Sequence, residues 1–512
     1  MLLKTFGSAV YGVNAMTITV EVNVSDGIKF HLVGLPDNAV KESTLRIEAA
    51  LKNNGYRIPG KKIVVNMAPA DIRKEGSCYD LTIAIGILAA TEQLNSDRLN
   101  DYIIMGELGL DGEIQPMKGT LPIAIQARSD KFKGVIVPEA NAMEAAIVAG
   151  LDVYGVNNLK EVCNFLEGKV ELEKTIFNTR DEFAYQQQQI PYDFSEVKGQ
   201  ENIKRALEIA AAGGHNVLLI GPPGAGKTML AKRIPTILPP LGLHEALETT
   251  KIHSVAGKLG KHKGLISMRP FRSPHHTISD VALVGGGGNP QPGEISLAHN
   301  GVLFLDELPE FKRAVLEVLR QPLEDRVVTI SRAKASIEYP ANFMMVASMN
   351  PCPCGNYNHP EKDCVCGPGV VQKYLNKISG PLLDRIDLHV EVTPVHFDEL
   401  TEKRIAEPSE KIRERVLIAR EIQTERFKET EGIYSNAMMT SKQLGEICNI
   451  DQVSTHLLKA AMEKLKLSAR AYDRILKVAR TVADLNGSAS IKPEHVAEAI
   501  TFRSLDRENW AG

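Results

Sequence analysis

The sequence lacks any run of apolar residues long enough to cross a membrane. No stretch of about 18 such residues occurs, and a bilayer requires a helix of roughly that length. The beginning of the sequence also lacks a positively charged segment followed by a continuous apolar one, which a secretory signal would need. We therefore expect a cytoplasmic protein with no membrane partner.

A charge excess of either sign is also missing. The 60 Lys and Arg residues nearly balance the 63 Asp and Glu residues, which leaves a formal net charge of -3. A strongly basic chain would have indicated nucleic acid, so the global charge does not identify the partner. With 43% hydrophobic and 24% charged residues, the composition is that of an ordinary folded protein.

Cysteines are few and unevenly placed. Of the seven, four form two C-x-C pairs with nine residues between the pairs. The odd total fits a disulfide framework poorly, whereas four thiolates suit a structural Zn2+ ion. The spacing departs from the usual zinc knuckle, so free thiols, disulfides or another metal remain alternatives, and we expect His359 to be a loop residue. The four candidate ligands are Cys352, Cys354, Cys364 and Cys366.

The length of 512 residues exceeds what one hydrophobic core usually serves, so we expect a multidomain α/β protein. Residues 1–170 mix alternating strand patterns with alanine-rich helical ones such as 80–94, which is typical of an α+β domain. Residues 171–191 include four consecutive glutamines and indicate a linker. Apolar runs in residues 192–394 predict a doubly wound parallel sheet, and residues 395–512 show helical spacing.

A glycine-rich motif follows the apolar run at residues 216–220. It reads GPPGAGKT and satisfies G-x-x-x-x-G-K-[ST] between a predicted strand and a predicted helix. The glycines let backbone N–H groups approach the phosphates of ATP, and we expect Lys227 to reach the β- and γ-phosphates and Thr228 to ligate Mg2+. The nucleotide-binding residues are Gly221, Pro222, Pro223, Gly224, Ala225, Gly226, Lys227 and Thr228.

A second motif, GVLFLDE at residues 301–307, is an apolar strand that ends in two carboxylates. An acidic residue at the end of a buried strand beside the phosphate-binding loop can hold Mg2+, and we assign this role to Asp306. Glu307 is then placed to orient or deprotonate the attacking water. Together the two motifs predict ATP hydrolysis.

These motifs and four longer segments resemble the AAA+ ATPases, and more closely the magnesium-chelatase-like branch known as the YifB or ComM family. The resemblance covers nearly the whole chain. It implies an oligomeric motor, typically a hexameric ring, that uses ATP to move DNA. The segments are RPFRSPHHTISDVALVGGG at 269–287, NGVLFLDELPEF at 300–311, ASMNPCPCG at 347–355 and GPLLDRIDLHVEV at 380–392.

Roles for two further residues are implied by this resemblance. Asn350 corresponds to the sensor-1 residue, which contacts the γ-phosphate or the water. Arg385 corresponds to the arginine finger, which completes the site of a neighbouring subunit. The alternative for Arg385 is a salt bridge to Asp384 or Asp387.

In the C-terminal helices, the resemblance implies that Arg470 is the sensor-2 arginine, with Arg474 one turn later as its competitor. Residues 273–276 and 285–288 fall where this branch inserts loops that face the central pore. The pair His275 and His276 could bind a metal, but such pairs more often have a structural role.

The N-terminal domain resembles the Lon-protease type, a ribosomal S5 domain 2-like fold, in residues 74–88 and 108–119. Proteolysis there needs a serine activated by a lysine. Cys78 occupies the serine position and Leu121 the lysine position, although Ser77 and Lys118 lie nearby. We expect a proteolytically inactive domain, with a Ser77 or Cys78 hydrolase as the alternative.

The function implied by the resemblance is a DNA helicase or branch-migration factor that aids homologous recombination and natural transformation, acting on single-stranded or branched DNA. Basic clusters at 258–263 and 269–272 would suit DNA phosphates, or form a solvated charged face. The alternatives are a chelatase-type ATPase and a protein-remodelling ATPase. Because Cys352 follows Asn350 by two residues, the cysteine loop is anchored at the ATP site and could relay nucleotide state.

Overall fold

The structure is a computed structural model that describes residues 2–95, 97–179, 191–260, 264–287, 290–332, 335–357, 361–394, 406–430 and 432–503. Within these ranges, no helix is both long and apolar enough to cross a bilayer. The glutamines of the expected linker, His359 and residues 261–263 of one basic cluster lie outside the described residues.

The N-terminal region forms one mixed seven-stranded sheet with helices packed on it. Its elements are β1 (Leu2–Tyr11), β2 (Asn14–Ser25), β3 (Phe30–Val33), α1 (Asn38–Asn53), β4 (Lys62–Ala68), α2 (Asp80–Ala90), β5 (Tyr102–Ile104), β6 (Glu107–Leu108), β7 (Ile114–Gln115), α3 (Thr120–Ser129), β8 (Gly134–Pro138), α4 (Glu139–Ala145), β9 (Asp152–Val156) and α5 (Leu159–Leu166). The strand order is β3-β4-β2-β1-β5-β8-β9, with β1 and β2 antiparallel and β8 and β9 parallel. Helix α2 is buried along its whole length and forms the centre of this core. It ends at Ala90, before the expected residue 94, because Glu92 has a left-handed φ of 59°.

The second region is built on a five-stranded parallel sheet, as the sequence predicts. Its elements are α6 (Glu201–Gly213), β10 (Val217–Ile220), α7 (Lys227–Ile237), α8 (Leu243–Val255), β11 (Phe271–Arg272), α9 (Asp280–Val284), β12 (Gly285–Gly286), β13 (Gln291–Pro292), α10 (Glu294–Leu297), β14 (Val302–Leu305), α11 (Arg313–Glu317), α12 (Arg320–Asp325), β15 (Val327–Arg332), β16 (Ala335–Pro340), β17 (Met344–Met349), α13 (Pro368–Leu375), α14 (Gly380–Leu383) and β18 (Leu388–Glu391). The sheet order is β11-β14-β17-β10-β18. Because neighbouring strands are parallel, the loops after β10, β14 and β17 meet at one edge, where ligands bind in such sheets.

The described part of the C-terminal region is helical, as predicted. Its helices are α15 (Ser409–Phe427), α16 (Ser441–Ile447), α17 (Gln452–Leu465), α18 (Ala469–Leu485) and α19 (Pro493–Thr501). Helix α15 packs on α6, where Gln423 Nε2 donates to the Ala212 carbonyl at 3.0 Å and Arg420 donates to the Ala211 carbonyl at 3.1 Å. These side chains satisfy carbonyls that the end of α6 leaves free. Short 3-10 turns also occur at Ser77–Tyr79, Phe194–Glu196, Leu308–Glu310 and Asn436–Met438.

Helix α8 connects the parallel sheet region to the N-terminal sheet. Its Ala246, together with Leu265, belongs to the same buried core as the N-terminal strands. At the end of α8, the Ser254 hydroxyl donates to the buried Glu144 carboxylate, and the Ser254 backbone carbonyl accepts from the Gly119 N–H at 3.1 Å. Burial raises the pKa of Glu144, although its hydrogen bonds oppose the shift. The two regions therefore share a core although residues 171–191 separate them in sequence.

Candidate nucleotide site

The candidate phosphate-binding loop, which precedes Lys227, connects the interior strand β10 to helix α7. Gly224 and Gly226 have φ of 81° and 86°, in the left-handed region that glycine adopts without strain. Helix α7 begins at Lys227 with no side-chain cap on its first turn. Its N–H groups are therefore free to bind an anion such as a phosphate.

Lys227 reaches back over the loop. Its Nζ donates to the carbonyls of Gly221 at 2.7 Å and Pro222 at 2.9 Å, and to Oδ1 of Asn350 at 3.1 Å. Burial lowers the pKa of Lys227, and the nearby carboxylates of Asp306 and Glu307 oppose this shift. The structure thus brings Asn350, which follows β17, directly to the loop lysine.

Asp306, at the carboxyl end of β14, is bound on both carboxylate oxygens. Thr228 Oγ1 donates to its Oδ2 at 2.8 Å, and the Ser348 hydroxyl donates to its Oδ1. This set of oxygen donors beside the loop fits Mg2+, which prefers carboxylate and hydroxyl oxygens and phosphates. The sequence reasoning missed Ser348. Its signal was a lone hydroxyl in the otherwise apolar, fully buried strand β17.

Glu307 has a different environment from Asp306. Its side chain is 57% exposed, and its backbone has a left-handed φ of 55°. Nδ1 of His276 lies 3.5 Å from Glu307 Oε2, and the rings of His275 and His276 are 4.1 Å apart. Among the described residues, the two histidines belong to no cluster of three or more possible metal ligands. The histidine pair therefore contacts Glu307, which is consistent with a structural role for the pair.

The four cysteines of the two C-x-C pairs converge. Their Sγ atoms all lie within 4.8 Å of one another, with Cys352 3.3 Å from Cys354 and 3.7 Å from Cys364. A tetrahedral Zn2+ with Zn–S bonds of about 2.3 Å would have its sulfurs about 3.8 Å apart. These distances exceed a disulfide bond of about 2.05 Å, and the thiols are free. The geometry therefore fits a four-thiolate metal site.

Arg385 is buried, and its partner is not one that the sequence indicated. Its guanidinium donates to Glu324 Oε1 at 2.6 Å and to the Pro381 carbonyl at 2.5 Å. The alternative of a salt bridge to Asp384 or Asp387 is wrong, because other arginines occupy those carboxylates. The contacts described for Arg385 do not include the phosphate-binding loop of its own chain.

Arg470 and Arg474 of α18 hold these two aspartates. Arg470 is 60% exposed and lies 3.6 Å from Asp384, while Arg474 is 20% exposed and lies 3.0 Å from Asp387. Burial alone would raise the pKa of Asp387, but Arg474 and His215 hold it well below its usual range. Both sensor-2 candidates are thus bound to the segment that carries Arg385.

In the described part of the N-terminal domain, neither Ser77 nor Cys78 is hydrogen-bonded to a lysine, the base that a Lon-type site would need. The Ser77 hydroxyl donates to the Glu107 carboxylate, and burial raises the pKa of Cys78 to about 12. Leu121 is buried in α3, and the stem of Lys118 lies against Gly257 of the second region. The inactive domain and the Ser77 or Cys78 hydrolase therefore both remain predictions, although the described residues do not form the serine-lysine pair.

The arginines of the second basic cluster are occupied internally. Arg269 donates to Glu245 at 3.1 Å and to the Asn300 carbonyl at 2.7 Å. Arg272 forms a bidentate pair with Glu294 at 2.6 and 2.7 Å. Both arginines are therefore paired with carboxylates of the fold, and neither sequence interpretation of the cluster predicted these pairs.

The parallel sheet, the loop between β10 and α7 and the acidic end of β14 define an AAA+ nucleotide-binding protein of the magnesium chelatase type. The family model "Magnesium chelatase, subunit ChlI" matches residues 193–400. The models "Subunit ChlI of Mg-chelatase" and "Magnesium chelatase, subunit ChlI C-terminal" match residues 20–141 and 406–503.

Full-length relatives narrow this class to one family. The chain is 46% identical to Uncharacterized protein YifB of Escherichia coli (strain K12), over 98% of this chain and 96% of that protein. It is 44% identical to Competence protein ComM of Haemophilus influenzae, over 99% of this chain and 98% of that protein. A shorter match is with Lon protease 2 of Bacillus subtilis. The two are 32% identical over 29% of this chain and 28% of that protein. The chain belongs to the YifB/ComM family of magnesium-chelatase-like proteins.

Proposed function

We propose that this protein is an ATP-hydrolysing motor whose nucleotide site is the junction of β10, β14 and β17. The observation that carries the proposal is the convergence at the loop of two hydrogen-bonded pairs, Lys227 with Asn350 and Thr228 with Asp306. Lys227 would bind the β- and γ-phosphates, while Thr228 and Asp306 would hold Mg2+. Glu307, exposed beside this group, would orient the attacking water, and Asn350 would contact the γ-phosphate or that water.

The motor works as a ring, for which we propose a hexamer. Arg385 would enter the site of the neighbouring subunit and stabilise the charge that develops on the transferred phosphoryl group. Arg470 pairs with Asp384, the residue before Arg385, and this proximity supports a role for both arginines at the same interface. Before assembly, Glu324 neutralises the Arg385 guanidinium.

The substrate we propose is single-stranded or branched DNA, which the ring moves as a helicase or branch-migration factor. The support is the 44% identity over the full chain to a relative named as a competence protein. In this role the protein would aid homologous recombination and natural transformation. The N-terminal domain, a proteolytically inactive domain of the Lon type, would serve assembly or substrate contact.

The cysteine cluster holds a structural Zn2+ in this proposal. Four thiolates in tetrahedral spacing leave no open coordination position, so the ion fixes the loop rather than taking part in hydrolysis. Because free thiols persist in a reducing compartment, this role is consistent with work in the cytoplasm.

The deciding experiment measures ATP turnover alone and with single-stranded, duplex and branched DNA, with Glu307→Gln as the inactive control. We expect turnover to rise with DNA, most strongly with branched DNA, and to vanish in Glu307→Gln. Turnover that is lost in Glu307→Gln but ignores every DNA would overturn the DNA motor while keeping the ATPase.

The alternative is a chelatase-type or protein-remodelling ATPase that acts on a protein partner. The three matching models, all named for a magnesium chelatase subunit, favour it. In that case, turnover would respond to a protein substrate and remain indifferent to DNA.

A further inference from the structure

The turn that carries the first two cysteines packs directly on the phosphate-binding loop. Gly355 has a left-handed φ of 82° and donates its N–H to the Cys352 carbonyl at 3.0 Å. A Cβ atom at Gly355 would lie 2.4 Å from Cδ of Pro223, the third residue of the phosphate-binding loop. The cysteine turn and the loop therefore touch with no spare volume between them.

The same cysteine-containing segment begins next to Asn350, another residue of the nucleotide site. The buried Cys352 follows Asn350 by two residues, and Asn350 Oδ1 accepts from Lys227 Nζ at 3.1 Å. The segment thus contacts the loop at Pro223 and reaches the loop lysine through Asn350. A shift of the segment would change both contacts at once.

The described parts of this segment, residues 351–357 and 361–367, contain no helix or strand. Regular backbone hydrogen bonding therefore contributes little to their position. Four-thiolate metal sites, in contrast, contribute folding free energy directly because the ion crosslinks the chain. A bound ion would add a crosslink between the two halves of the segment, since the four Sγ atoms lie within 4.8 Å of one another.

We propose that metal occupancy of the four-cysteine site controls nucleotide binding at the phosphate-binding loop. The inference rests on the proposed Zn2+ and ATP sites, and adds the dependence of the second on the first. With the metal bound, Gly355 braces Pro223 and Asn350 stays beside Lys227. Without the metal, the segment relaxes, both contacts weaken, and the loop binds a triphosphate poorly.

Two measurements on the full chain test this: zinc per chain by atomic emission, and the Kd of a fluorescent ATP analogue with Mg2+. Cys364→Ser is expected to lose zinc and to raise the Kd about tenfold. Gly355→Ala is expected to keep zinc and still raise the Kd severalfold, because its Cβ would collide with Pro223. Gly367→Ala is the matched control, since Gly367 has φ of -65° and open space around it. Both values should stay unchanged there.

If Cys364→Ser loses zinc but keeps the wild-type Kd, metal occupancy does not control nucleotide binding. The proposal that the cysteines bind Zn2+ would still stand. Wild-type protein that binds the analogue tightly without zinc would overturn the control of nucleotide binding too. Wild-type protein that carries zinc but binds no analogue would instead contradict the proposed nucleotide site. If Cys364→Ser does not fold, wild-type protein stripped by a chelator replaces it, and zinc must then restore the affinity.

Discussion

Two regions of this molecule carry an enzyme motif, and their polar groups are arranged in opposite ways. At the nucleotide site, Lys227 bonds to Asn350 and Thr228 bonds to Asp306, although these residues are far apart in sequence. In the N-terminal sheet, the corresponding nucleophile position holds Cys78, and no described lysine is hydrogen-bonded to it. The polar side chains of the first motif converge, whereas Cys78 of the second packs against the apolar core.

The difference shows what a motif needs in order to be chemically active. Buried polar groups are costly unless they are paired. At the nucleotide site, the residues that follow β10, β14 and β17 pair with one another. Leu121, at the position of the catalytic base, is buried among apolar neighbours and costs nothing there. Convergence of polar side chains therefore separates the two regions better than similarity of sequence.

The largest expected effect is the loss of the lysine that joins the loop to Asn350. Lys227→Ala should lower ATP turnover about 10³-fold, because it removes a donor aimed at the phosphates. Turnover measured at saturating ATP and Mg2+ checks this. Lys232→Ala, an exposed lysine on the same helix, is the control and should retain activity. A retained tenth of the activity in Lys227→Ala would break the contrast between the regions.

Arg385→Ala should lower turnover about 10²-fold for a different reason, since it acts on the neighbouring site. Mixing equal amounts of Arg385→Ala and Lys227→Ala should restore part of the activity, because mixed rings contain interfaces with both residues intact. Glu324→Gln removes the charge of this partner but keeps an amide oxygen that can accept from the buried Arg385 guanidinium, so it is the control and should change turnover less than about twofold. Failure of the mixture to recover would contradict a finger that acts between subunits.

The sequence predicted a parallel sheet, though not its number of strands, and the loop motif, because both depend on local patterns, namely apolar runs and fixed glycines. It did not predict Glu324 as the partner of Arg385, because that pair joins α12 to the end of α14 across the tertiary fold. Arg269 and Arg272 were interpreted as part of a basic surface because their partners, too, are contacts of the tertiary fold. Their acidic partners lie more than 20 residues away in sequence, beyond the reach of any spacing rule.

Ser348→Ala should lower turnover about tenfold and raise the Mg2+ concentration needed for half-maximal rate. Hydrogen bonds to a charged group contribute about 1.5 to 3 kcal/mol, and this hydroxyl is bound to Asp306. A titration of turnover against Mg2+ measures both changes. Ser441→Ala, an exposed serine of the C-terminal helices, serves as the control. An unaltered Mg2+ titration would show that Ser348 only fills space.

A smaller effect is expected from the histidine beside Glu307. His276→Ala should lower kcat about threefold with KM nearly unchanged, because the imidazole positions an exposed carboxylate rather than binding ATP. His275→Ala is the matched control, since the described polar contact of His275 is with Thr277. Equal effects of the two substitutions would show that the stacked pair, and not the contact with Glu307, matters.

The smallest effect on ATP turnover is expected from a substitution in the N-terminal region. Cys78→Ala should have the same ATP turnover as the wild-type protein, and neither protein should degrade casein. Burial raises the pKa of this thiol to about 12 and keeps it protonated. In the native protein, alkylation of Cys78 by iodoacetamide, followed by mass spectrometry, should therefore remain slow at pH 9. The unfolded chain should react rapidly there, because an unperturbed thiol ionises near pH 8.5. Rapid native labelling would mean that Cys78 is an accessible thiolate, and would favour the hydrolase alternative.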